Sequence, residues 1–196
     1  MSNNLLRAKL TIVGTRPLLW HAFGPDAIPL EKQERTGVAG NDPQEWHKTV
    51  LMTPDRQLYL DSSYGFAAIR DGAKYTKRGH GSIQGLVAAT LQVTDELLLV
   101  DRWVPADGPI PDRSLPVYLD VRGVRNPSTK GRNVRYRVAA STGWKLSMSL
   151  LWDKTVINRN ELEAAITDAG RLSGLGDGRT IGFGRFDPIS FEVAAL

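Results

Sequence analysis

Alternating apolar and polar positions predict strands at both ends and in the middle of the chain. In residues 6–13, Leu6, Ala8, Leu10 and Ile12 fall on one side of an extended segment, and polar residues fall between them. This alternation is typical of a strand with one buried face. Similar alternation or short apolar runs predict further strands at 58–60, 97–104, 116–121, 134–138, 145–152 and 189–193. The sequence 141–143, Ser-Thr-Gly, predicts a hairpin between two of them.

Apolar residues at helical spacing predict two longer helices. Phe66, Ile69 and Ala73 indicate a helix from Ser62 or Ser63 to about Arg78. Apolar residues at 162, 165, 166 and 169 indicate a second helix, for which Asn158 or Asn160 is the candidate N-cap. A short helix is predicted to begin with Asp42 as N-cap and Pro43 at its first position. The segment 21–40 is rich in Gly and Pro and is predicted to be an exposed loop.

The order of these elements predicts the fold class. It fits an α+β, ferredoxin-like (RRM-like) βαββαβ core with inserted loops and a hairpin. Such a core has an antiparallel sheet with two helices on one face, so its other face and its loops are open to a ligand. We expect residues 1–196 to form a single domain, with an insertion at about 80–114 and a basic hairpin at about 122–138.

Composition excludes several classes of site. The 196 residues contain no cysteine, which excludes disulfides, zinc fingers and thiol nucleophiles. With three histidines and no cluster at metal-ligand spacing, we expect no metal and no other cofactor. No segment approaches the roughly 18 consecutive apolar residues of a membrane span. We therefore expect a cytoplasmic protein with no membrane partner.

Basic residues are concentrated in two clusters, although the net charge is only +4. The first contains no acidic residue and consists of Arg122, Arg125, Lys130, Arg132, Arg135 and Arg137. The second, with only Asp71 opposing it, consists of Arg70, Lys74, Lys77 and Arg78, and the first three of these share one side of the predicted helix. A charge run is usually a solvated face. Phosphate binding is the stronger hypothesis for the first cluster, because it lacks acids and the planar guanidinium of arginine can bind two phosphate oxygens.

A glycine-rich segment lies between the last predicted helix and the last predicted strand. Its eleven residues, 174–184, contain five glycines at positions 174, 176, 178, 182 and 184. Glycine allows close approach and positive φ, so that successive N–H groups can surround a phosphate, and Arg179 and Arg185 add charge. A helix C-cap followed by a hairpin would account only for Gly174 and Gly182. A Walker loop is excluded because no Gly-Lys-Ser/Thr is present.

The pattern Gly-apolar-Gly, five residues, Gly-apolar-Gly resembles the glycine-rich loop of the RAMP superfamily of CRISPR-associated proteins. The chain is also similar to short phage- and prophage-encoded proteins of that kind, in segments 13–21, 58–60, 74–78, 132–137 and 170–186. Residues 82–111 match least. Within that superfamily, the chain is similar to the multi-copy backbone subunit of Cascade-type effectors.

The resemblance implies an antiviral-defence protein that coats a guide RNA through its backbone. Several copies would form a filament-like, RNA-guided ribonucleoprotein, whose partners are the guide RNA, a complementary RNA or DNA target and further copies of the chain. Residues 122–137 would form the thumb or palm hairpin, and Lys74, Lys77 and Arg78 the palm helix. The expected RNA-binding residues are Arg16, His21, Arg70, Lys74, Lys77, Arg78, Arg122, Arg125, Lys130, Arg132, Arg135, Tyr136, Arg137, Gly174, Gly176, Arg179, Gly182, Gly184 and Arg185.

Two alternatives remain open. Another RAMP branch cleaves guide-RNA precursors without a metal, and His21 or His80 has the chemistry for that step. No second residue completes such a site, so we assign no catalytic residue and expect no enzyme. The acidic loop residues Asp26, Asp61 and Asp177 are expected to serve turns or caps. The other alternative is a structural phage protein that binds no nucleic acid.

Aromatic residues add one candidate RNA contact. Tyr136 lies within the basic run and could stack on a base. Trp144 and Trp152 lie in or beside an alternating strand and are expected in the core. The aromatic signature of true RRM domains is absent from the sequence, so recognition of particular bases is not expected.

Overall fold

The computed structural model describes residues 4–22, 24, 42–125 and 130–195. Its strands are β1 (Leu5–Gly14), β2 (Leu18–Leu19), β3 (Gln57–Asp61), β4 (Lys77–Arg78), β5 (Gly81–Ser82), β6 (Gln92–Val93), β7 (Leu97–Trp103), β8 (Val117–Arg125), β9 (Arg132–Ala140), β10 (Lys145–Asp153) and β11 (Phe186–Ala195). Its helices are α1 (Glu45–Thr49), α2 (Ser62–Gly72), α3 (Gln84–Thr90) and α4 (Arg159–Asp168), with a π-helical turn at Ala169–Ser173 and a 3-10 turn at Arg179–Ile181. Within these ranges, no helix has the length and apolar character needed to cross a membrane.

The main sheet has the strand order β11-β1-β10-β7-β3, with β6 beside β10. All of its paired strands are antiparallel. Taken in chain order, β1, α2, β7, β10, α4 and β11 form a βαββαβ unit in which β10 lies between the first two strands of the unit. The predicted ferredoxin-like core is therefore confirmed.

The core lies on the side of this sheet covered by α2 and α4. Alternate residues of β1 and β10 are buried there. A methyl group on Gly65 would lie 3.1 Å from Leu98 and Met148, so α2 rests directly on the sheet. Gly72 brings α2 equally close to α4, since a methyl group there would lie 2.4 Å from the carbonyl oxygen of Ala165. Trp144 and Trp152 are fully buried, as predicted.

Helix α4 begins as predicted, whereas α2 ends earlier than predicted. The side chain of Asn158 accepts from the N–H of Glu161, and the two residues form a capping box. Helix α2 stops at Gly72 and not near Arg78, because the chain then turns, with the N–H of Tyr75 donating to Gly72. Lys77 and Arg78 lie in β4, which pairs with β5. The basic residues of the second cluster therefore do not share a helix face.

A separate three-stranded sheet has the order β2-β9-β8. Strands β8 and β9 form a hairpin that pairs in register from Val117↔Ala140 to Arg125↔Arg132. The hairpin predicted at 141–143 is wrong, because β9 and β10 belong to different sheets. That turn instead moves the chain between the sheets, and the Trp144 indole N–H fixes it by donating to the carbonyl of Arg16 at 2.8 Å.

The additions to the core do not follow the expected insertion at 80–114. Strand β7 lies inside that range, yet it pairs with β10 and β3 in the main sheet. The larger additions carry β2, α1 and β3, between β1 and α2, and the β8–β9 hairpin, between β7 and β10. The short helix begins at Glu45 with Gln44 as N-cap, while Asp42 accepts from the N–H of Gln44. Most of the predicted loop 21–40, including Asp26, lies outside the described residues.

Candidate nucleic-acid interface

Three of the six cations in the first basic cluster are bound to carboxylates that lie outside the cluster. We call Arg122, Arg135 and Arg137 the hairpin base. Arg122 donates two hydrogen bonds to Asp120, at 2.7 and 2.5 Å. Arg135 donates to Glu45 of α1, which also accepts from the N–H of Tyr136 at 3.1 Å. The base is therefore a set of neutralised arginines.

Arg137 connects the hairpin to the glycine-rich segment. It is 5% exposed and contacts Asp120 at 3.2 Å and Asp177 at 2.6 Å. Asp120 is itself buried and also faces Arg113 at 3.9 Å. A buried carboxylate requires such partners, because its desolvation is otherwise costly. The hydrogen bond to Asp120 raises the pKa of Arg122 above its usual value, despite the opposing effect of partial burial.

The other three cations, Arg125, Lys130 and Arg132, lie at the outer end of the hairpin, and we call them the hairpin tip. All three are exposed. Arg125 and Arg132 face each other in register, an arrangement that like charges disfavour. In the part of the chain that the structure describes, no carboxylate forms an ion pair with them. The tip therefore presents uncompensated positive charge.

A groove of about 580 Å³ lies between the start of β8, the turn after β1 and the glycine-rich segment. Its cationic lining is Arg16, Arg113 and Arg122, and its other walls include Tyr118, Ile181 and Phe183. The guanidinium of Arg122 lies over the Phe183 ring, 4.6 Å from its centre. The sequence reasoning did not assign Arg113 or Tyr118 to the interface. Arg113 is isolated between Asp112 and Ser114, so no local charge pattern indicates it.

The glycine-rich segment is shaped by its own packing. All five glycines have positive φ, between 67° and 91°. A methyl group on Gly184 would lie 1.8 Å from the carbonyl oxygen of Leu175, and one on Gly176 would lie 2.5 Å from that of Leu19. The N–H groups of Gly174, Gly182 and Gly184 donate to carbonyls of Ala169, Arg179 and Pro17. The structure thus gives these three predicted phosphate ligands an internal partner.

The second basic cluster separates into three environments. Asp71 forms ion pairs with Arg70 and Lys74 at 3.3 Å and with Arg179 at 3.4 Å, so three cations surround one carboxylate. Partial burial opposes ionisation of Asp71, but the hydrogen bonds and charges of Lys74 and Arg70 outweigh it and lower the pKa. Arg78 instead donates to Glu161 at 2.7 Å and lowers the pKa of that carboxyl. Lys77 is exposed in β4.

The remaining predicted residues are dispersed. His21 lies 3.5 Å from Glu45, on the same carboxylate as Arg135. Tyr136 is half-buried in β9, and Arg185 donates to the carbonyl of Arg179 at 3.5 Å.

The loop acids that could have served chemistry have structural partners. Asp61 caps α2 by accepting from the N–H of Ser63 at 2.9 Å, as expected of a cap residue. Asp177 binds Arg137. Across 4–22, 24, 42–125 and 130–195, no group of three His, Cys, Asp or Glu side chains could hold a metal ion.

These features define an α+β protein with a ferredoxin-like core and a basic hairpin. No protein-family model and no curated protein matches the sequence. Among solved structures, the fold is similar to a chain in the cryo-EM structure of the Type III-B Cmr-beta bound to cognate target RNA, with a TM-score of 0.53 and 11% sequence identity. The match covers 98% of this chain and 61% of that chain, so this protein spans less than two thirds of its neighbour's length.

Proposed function

We propose that the protein binds single-stranded RNA through the sugar-phosphate backbone, with the hairpin tip as the principal contact. One observation carries this proposal: three exposed cations, which have no carboxylate partner among the described residues, lie at the end of a hairpin whose base is fixed by ion pairs to buried Asp120. A fixed base limits the conformational entropy that the hairpin loses when its cations bind a ligand. Two of the three cations are arginines, whose planar fork suits phosphate oxygens.

The finer proposal is that the RNA is a guide. It is supported by the resemblance of the glycine-rich segment to that of RAMP proteins, and by the likeness in fold to a chain of an assembly bound to target RNA. Several copies would coat one guide in the bacterial cytoplasm, in a head-to-tail arrangement that does not close. Backbone contacts leave the bases free, so pairing with a complementary RNA or DNA supplies the specificity.

A salt titration with labelled RNA tests this function. Two unrelated single-stranded RNAs of equal length are titrated with protein at several salt concentrations. We expect similar affinities for both, each falling steeply with salt, because every phosphate neutralised on a single strand contributes a slope of about −0.7. A strong preference for one sequence would contradict backbone recognition. Absence of binding at low salt would favour a structural phage protein.

Metal-independent RNA cleavage is the second candidate function, favoured by one contact. His21 lies 3.5 Å from Glu45, and a carboxylate can orient a histidine for proton transfer. Glu45 is also engaged by Arg135 and the N–H of Tyr136, which argues for a structural role of the group. We propose that the protein is not an enzyme. Incubation with structured and unstructured RNA in EDTA, beside the His21→Ala variant, tests this, and product formed by the wild type but not by the variant would contradict it.

A further inference from the structure

The groove beside the hairpin base gathers arginines from three separate stretches of sequence. Arg16 comes from the turn after β1, Arg113 from the segment before β8, and Arg122 from β8 itself. None of the residues lining the groove is acidic. Asp120 lies beneath, with its buried oxygens already engaged by Arg122 and Arg137. The lining holds three arginines and no acid, and Asp120 is divided between Arg122 and Arg137, so the groove remains cationic and its ligand should be an anion.

Part of the groove lining is apolar. Ile181 is 61% exposed there, and Phe183 lies beside it under the guanidinium of Arg122. Ser141 and Thr142 add hydroxyl groups at one end. The volume of about 580 Å³ is within the range of small-molecule sites and is sufficient for a nucleotide. A lining with both cationic and apolar side chains fits a ligand that carries a phosphate together with a ribose or base.

Arg122 and Arg113 differ in how firmly they are held. Arg122 is fixed by two hydrogen bonds to Asp120 and by its contact with Phe183. The side chain of Arg113 is 71% exposed, and its nearest carboxylate oxygen, on Asp120, is 3.9 Å away. This contact is too long for a hydrogen bond, so the donors of Arg113 remain available to an incoming phosphate.

We propose that this groove holds one nucleotide unit of a single-stranded RNA, with Arg113 as a phosphate ligand and Ile181 against the ribose or base. The inference rests on the proposed function and deepens it by adding a second contact, separate from the hairpin tip. Arg113 lies outside every basic run of the sequence, and the groove assigns it to the same ligand as the tip.

A matched pair of arginine variants tests the cationic wall. Arg113 and Arg171 are similar, since their side chains are 71% and 69% exposed and each has one carboxylate at 3.9–4.0 Å. Arg171 contacts Asp187 and does not line the groove. We expect Arg113→Ala to weaken binding of single-stranded RNA about fivefold and to reduce the salt slope by about 0.7. Arg171→Ala should change affinity less than about twofold, which is the effect of net charge alone.

A second matched pair tests the apolar wall. Ile181 and Ile189 are both exposed, at 61% and 53%, and only Ile181 lines the groove. Ile181→Asp should weaken RNA binding by more than Ile189→Asp, although both add the same charge. Equal effects within both pairs, with wild-type binding intact, would overturn the groove and leave the proposed function standing. If the wild-type protein does not bind single-stranded RNA, the proposed function is overturned.

Discussion

The hairpin base and the hairpin tip come from one stretch of sequence that contains no acidic residue, yet they are in opposite environments. At the base, Arg122, Arg135 and Arg137 are bound to carboxylates of Asp120, Glu45 and Asp177. At the tip, all three cations face solvent. The difference teaches that the acids that neutralise a basic run need not lie within it. A count of charges along the run overstates the number of cations that are available to a ligand.

The base and the tip should also differ in what they contribute to stability. Arg137, the buried arginine of the base, has lost water and depends on its partners, so removing either member of its pairs leaves an uncompensated charge. Exposed arginines remain hydrated, and their replacement costs little stability. Variants of the base should therefore lower the free energy of unfolding, and variants of the tip should weaken RNA binding.

The largest loss of stability is expected from changes in the glycine-rich segment, because its Asp177 binds Arg137 of the hairpin base. Gly184→Ala places a methyl group 1.8 Å from the carbonyl oxygen of Leu175, at a φ of 67°. We expect a loss of about 4 kcal/mol or more in the free energy of unfolding, from strain and displacement of the backbone. Gly182→Ala is the control, because it has positive φ but nothing within 4 Å, and it should cost about 1 kcal/mol. Equal losses in urea denaturation would contradict the packing role.

The next effect concerns the buried pair at the base. Arg137→Ala deprives Asp120 and Asp177 of a partner, and we expect a loss of about 3 kcal/mol in the free energy of unfolding. Arg132→Ala, at the tip, should stay within about 0.5 kcal/mol of the wild type. Both are measured by urea denaturation. If the two variants lost similar stability, the distinction between base and tip would be wrong.

The tip itself is tested by RNA binding. A variant with alanine at Arg125, Lys130 and Arg132 should bind single-stranded RNA about 30-fold more weakly and show a salt slope smaller by about 2, with unchanged stability. The control replaces three exposed cations elsewhere, Arg7, Lys9 and Lys154, and removes the same charge. A comparable loss in the control would show that net charge, and not the tip, determines affinity. A loss limited to particular RNA sequences would contradict backbone recognition.

The smallest effect concerns Arg78, which the sequence places among the RNA contacts and the structure pairs with Glu161. The hydrogen bond from Arg78 lowers the pKa of Glu161 below its usual 4.5. The pair therefore contributes stability above that value and loses it as the pH falls through the lowered pKa. We expect Arg78→Ala to reduce Tm slightly at pH 7, with a difference that becomes smaller as the pH falls through the lowered pKa of Glu161. A Tm difference that does not decrease as the pH is lowered would contradict the pairing.

Local patterns predicted most of the strands, the ferredoxin-like order and the Asn158 cap, because each depends on residues close in sequence. They could not show that β9 and β10 join different sheets, since that choice depends on long-range pairing. The neutralisation of Arg135 by Glu45 links residues 90 positions apart. Arg113 was missed for the same reason, because only the fold brings it to Arg16 and Arg122.

The most direct test of the proposed function is to purify the protein from the cell that encodes it, without nuclease, and to sequence the nucleic acid that accompanies it. We predict a discrete small RNA, protected at regular intervals, because several copies would cover one guide through its backbone. A protein that purifies free of RNA would contradict a guide-bound assembly.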